Sequence, residues 1–128
     1  GADNHTVGVG DQLADFVIEN HIKGALIQCM YFVPGTPVYE SHKDRLLHKD
    51  WGRYTGNAVH VPEKMTPYEL QLENIRASKK IYSFPRLVHA LLHEDALHKL
   101  LFLGEFFWHM SIRADLRKEL PYLDRRST

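Results

Sequence analysis

The residues of this chain best suited to chemistry are its histidines. Four of the nine fall between Pro85 and Leu120: His89, His93, His98 and His109. Imidazole ligates metals and moves protons near neutral pH, so spacing decides what these four can do together. His93-Glu94-Asp95-Ala96-Leu97-His98 approaches the H-E-x-x-H signature of zinc proteases, with one residue too many between the histidines. On a continuous helix, residues five apart are splayed by about 140°, so the two rings would not share an ion. His89 and His93 are four apart and share a helix face. No third and fourth ligand accompanies them, and zinc needs a full set.

Glu94 with His98, and Glu105 with His109, form a second row. Each glutamate precedes its histidine by four residues, a favourable order on a helix. Carboxylate-bridged metal bundles use Glu-x-x-His instead. This row therefore reads as a thin polar stripe facing water or a partner's polar groups. No nucleophile is assembled either. Serines 41, 78, 83, 111 and 127 sit in no Gly-x-Ser-x-Gly turn, and Cys29 lies in an apolar stretch where burial keeps a thiol inert. The expectation is a protein that is not an enzyme, with no catalytic residue, no metal and no cofactor. A small helical protein ligating a metal or haem through histidines is the alternative.

Composition narrows the partners. Sixteen Lys+Arg balance sixteen Asp+Glu, so there is no basic field for nucleic acid, and zero net charge favours association. A hydrophobic content of 44% excludes global disorder. With one cysteine, no intrachain disulfide can form. The start at Gly1 reads as trimming, with any targeting peptide already removed. The polar end, Asp124 to Thr128, is expected to be held by something.

The elements that would position these groups are helical. Asp11 can cap a helix over about 12–33, where Leu13, Phe16, Val17, Ile22, Leu26 and Met30 recur at helical spacing. Pro34-Gly35-Thr36-Pro37 ends it. Val38 to Trp51 suits a short helix, and 52–65 is irregular but rich in large side chains, so it should lie along a surface. Thr66-Pro67-Tyr68-Glu69 is a capping box that opens a helix over 67–81. Leu70, Ile75 and Ile81 should face inward, and Glu73, Arg76, Lys79 and Lys80 outward. The third helix should run over 85–119, about 50 Å long, and stop at Pro121. The fold class is therefore all-α: three main helices joined by a long irregular aromatic-containing connection, with an extended arrangement as an alternative to a compact one. Residues 1–128 make one small domain or subunit with partner-held extensions.

Phe102, Phe106, Phe107 and Trp108 point in different directions around the last helix, so one intramolecular core cannot cover all four. Exposed aromatics of this kind mark interfaces, and Trp51 and Tyr54 join them as candidate interface residues. The expected function is a non-catalytic accessory subunit of a larger multiprotein assembly. A membrane-bound mitochondrial energy-transducing complex, at the inner membrane, is the context that fits best. The expected partners are other protein subunits and, secondarily, a lipid or membrane surface. Seven ionisable residues from Arg86 to Lys99 exclude a full membrane span for the long helix. No nucleic acid is expected.

Overall fold

A computed structural model describes residues 1–125; Arg126, Ser127 and Thr128, part of the tail expected to be held, lie outside the described residues. The order is α1 (Val9–Glu19), α2 (Pro37–His42), α3 (Pro67–Ile81), α4 (Phe84–His93) and α5 (Ala96–Asp124), with single 3-10 turns at Lys43–Arg45 and Trp51–Arg53. Helix makes up 62% of the described residues, and pairing among them is limited to one bridge, Leu46 with His60. The fold is all-α. No described helix is long and apolar enough to cross a membrane.

α3 is the central element, with α1 on one side and α5 on the other, and α4 folds back against α5. Its start is the capping box read from sequence: the Thr66 side chain accepts from Glu69 N–H at 3.1 Å, and Glu69 accepts from Thr66 N–H at 2.7 Å. Leu70, Ile75 and Ile81 are buried as expected. Glu73 is not outward: it is 2% exposed, because its carboxylate accepts the N–H of Gly10 at 2.8 Å in the first turn of α1. A helix start has unpaired N–H groups and a partial positive charge, so a carboxylate is its natural partner. Gly10 is what permits this approach, since a Cβ there would collide with the Glu73 carbonyl.

The first helix is shorter than expected. It ends at Glu19, where His21 enters the left-handed region with φ 52°. There Ile22 N–H reaches back to Val17 O at 3.0 Å, the return bond of a helix-terminating turn. From Gly24 to Val33 the chain is extended instead. Ala25, Ile27 and Cys29 turn inward while Leu26, Gln28 and Met30 are exposed, a period of two rather than 3.6. An apolar run without a polar face is ambiguous between helix and strand, and Ile, Cys, Tyr, Phe and Val favour the extended form.

The expected helix over 85–119 is two helices. Glu94 and Asp95 are extended, and Asp95 caps α5 by accepting from Leu97 N–H at 3.0 Å and His98 N–H at 3.1 Å. Pro121 does not stop α5, which runs on to Asp124. The lost hydrogen bond is offset because the next turn buries Leu123 against Cys29, Ala58, Met65 and Leu70, with Tyr122 beside them. The short helix expected over 38–51 is only α2 and one 3-10 turn. Beyond it, Ala58, Val59 and His60 are buried, tied by Leu47 N–H to Val59 O at 3.0 Å and Val61 N–H to Arg45 O at 2.8 Å.

Candidate functional site

Behind the junction of α3, α4 and α5 lies a buried polar group that local sequence does not announce. Tyr82, just past the end of α3, stacks on His109 of α5 with centroids 4.0 Å apart and an interplanar angle of 14°. The Tyr82 hydroxyl accepts from Ala25 N–H at 2.9 Å and donates to Ala25 O at 3.2 Å, fastening the extended segment to the helices. His109 Nδ1 lies 3.1 Å from Ser78 Oγ, and Arg113 donates to Ser78 O at 3.0 Å. His109 Nε2 is 3.4 Å from Glu105 Oε2 but makes no hydrogen bond. His109 is 1% exposed, so the stripe expected to face water faces the core at this end. Burial lowers its pKa below the ordinary value of 6.5, and the ring is neutral at neutral pH.

In front of this group opens a cleft of about 500 Å³ between the end of α1, α4 and the first half of α5, within the size range of small-molecule sites. Ile18, Ile22, Pro85, Ala90, Leu101 and Phe102 supply its apolar wall, and charged and imidazole side chains ring it. Most of these are already engaged. Lys23 holds both oxygens of Glu94 at 2.6 Å, which lowers the Glu94 pKa. Asp95 caps α5 and also bonds to His98 Nδ1. Arg86 has no such charge partner among the described residues. It is half-buried, and its Nε donates to Ile81 O at 2.9 Å.

The structure rearranges the histidine readings. Because the helix breaks at Glu94, the splay computed for a continuous helix does not apply, and ligand atoms of Glu94, Asp95 and His98 lie within 4.8 Å of one another. Helix capping and Lys23 account for that convergence. The His89 and His93 rings stand 4.7 Å apart, tilted, with His89 on the cleft wall. Cys29 is 2% exposed, and burial pushes its thiol up to about 11, so it is protonated at neutral pH.

The six candidate interface residues divide. Phe102 and Phe106 pack against the buried cluster of Ala14, Val17, Ile81 and Tyr82. Phe107 (60% exposed), Trp108 (49%) and Trp51 (53%) remain open. Tyr54 is half-buried, with its ring 4.5 Å from that of Trp51. Around Phe107 and Trp108, the large side chains Leu97, Leu100 and Met110 are also exposed, so much of the outer face of α5 is uncovered. Sequence reasoning missed Tyr82 and Arg86. Each gains meaning only from residues brought to it by the fold.

No family model and no solved structure matches the chain. Among curated proteins it is similar to the bacteriochlorophyllide d C-12(1)-methyltransferase of Chlorobaculum tepidum, 32% identical over 69 residues. That is 53% of this chain but 15% of the enzyme, so the likeness covers a small part of that protein. It counts against the expectation that the protein is not an enzyme, because the stretch that matches belongs to a methyltransferase.

Proposed function

We propose that this chain is a helical part of a larger enzyme related to methyltransferases, docking on the catalytic part through the outer face of α5. The observation that carries the reading is the uncovered apolar face around Leu100, Phe107, Trp108 and Met110. A cluster of exposed large apolar side chains on one helix marks an interaction surface. The partial likeness to a bacteriochlorophyllide methyltransferase supports methyl transfer as the chemistry of the whole, and a bacteriochlorophyllide as its substrate class. In this reading the expected larger assembly is an enzyme, and the helical chain contributes packing surface and a ligand-sized cleft beside the site of transfer.

The test is to isolate the protein at its native length from its native host and supply labelled methyl donor and bacteriochlorophyllide. Label in the tetrapyrrole is the expected result. A folded, intact assembly that transfers no methyl group to any tetrapyrrole acid overturns the reading.

A further inference from the structure

We infer that the cleft between α1, α4 and α5 is a binding site for an apolar carboxylic acid, with Arg86 as the carboxylate anchor. This goes beyond the methyltransferase reading and does not depend on it. Three observations converge. The cleft, about 500 Å³, has a continuous apolar wall formed by Ile18, Ile22, Leu101 and Phe102, which demands an apolar body. Its other cation, Lys23, is neutralised by Glu94. Arg86 alone presents its terminal guanidinium nitrogens without a carboxylate among the described residues, although it is half-buried.

A half-buried arginine bonded through Nε keeps its terminal donors for a ligand, and a bidentate carboxylate is their best complement. The Arg86 Nε bond to Ile81 O fixes the plane of the fork, so the anchor is preorganised rather than recruited. His89, one turn along α4 and also on the wall, can donate a second hydrogen bond to the same carboxylate. Glu105 also lines the cleft, 3.4 Å from His109, and repels an acid whose charged end enters beside it. The ligand is therefore oriented: carboxylate towards Arg86, apolar body along Leu101 and Phe102.

The experiment is a titration of the full chain with palmitate as an unbranched acid and 1-pyrenebutyrate as a fused-ring acid. Each is compared with its methyl ester, and affinity is read by calorimetry. At least one acid is expected to bind about tenfold or more tightly than its ester. Which acid binds tells whether the natural ligand is chain-like or ring-like. Arg86→Gln should remove the preference for the acid while leaving the ester's affinity unchanged. Arg86→Lys, which keeps the charge without the planar fork, should retain part of it. Because Arg86 also touches the end of α3, Leu101→Glu serves as a second variant. Leu101 is 54% exposed, so the fold tolerates the change, while the new charge should repel the acid. Equal binding of acid and ester, or no binding of either acid by a chain with native helical circular dichroism, overturns the inference.

Discussion

His109 and His60 carry the clearest consequence at the scale of single residues. Both are buried, and burial lowers both pKa values below the ordinary 6.5. Above that value both rings are neutral whether the chain is folded or not, and stability is fully present. As pH falls through it, the unfolded chain binds protons that the folded chain resists, and stability declines until the folded values are reached. The urea midpoint should therefore be lower at about pH 5.5 than at about pH 7.5. His109→Gln should shrink the difference, and a midpoint that does not move with pH would show that the rings accept protons in place. Thr66→Ala should cost about 1 kcal/mol, because Glu69 N–H loses its acceptor; unchanged thermal unfolding would contradict it. Thr66 was legible from sequence since its partner is three residues away. His109 was not: Tyr82 and Ser78 reach it across 27 and 31 residues.

The lessons at the scale of elements concern where helices end. α3 was legible over its full length because cap, proline and apolar period agree within a few residues. α1 and the break before α5 were not. Gly24 to Val33 is apolar on both sides, and such a run takes the form its neighbours allow. Here Tyr82 fixes Ala25, and Gly56 O accepts from Cys29 N–H at 3.4 Å. Asp95 lay inside a stretch without proline or glycine that reads as one helix, where its capping role is visible only once the chain turns. Asp95→Ala should fray the first turn of α5, read as faster amide exchange at Ala96 to Lys99. Exchange equal to that of the unaltered chain would assign the break to something other than the cap. The α1–α3 contact rests on Gly10, where a Cβ would meet the Glu73 carbonyl. Gly10→Ala should destabilise the fold by about 1–3 kcal/mol, and an unchanged denaturation midpoint would mean that the helices part at no cost.

The whole molecule is defined by what it leaves uncovered. Two of the six aromatics singled out in the sequence, Phe102 and Phe106, are taken by the chain's own core, while Phe107, Trp108 and Trp51 are open. Sequence periodicity shows that α5 is apolar nearly all round, but which face the chain keeps for itself depends on where α3 and α4 pack. The central claim is that the remaining face is covered by the catalytic part of an enzyme. It is tested most directly by the methyl-transfer rate of the native-length assembly carrying Phe107→Ala and Trp108→Ala, with circular dichroism as the control. Aromatic anchors at interfaces contribute about 2 kcal/mol or more each. The rate should therefore fall more than about tenfold while helicity stays at the level of the unaltered protein. An unchanged rate, with both rings removed and the helices intact, would contradict the account.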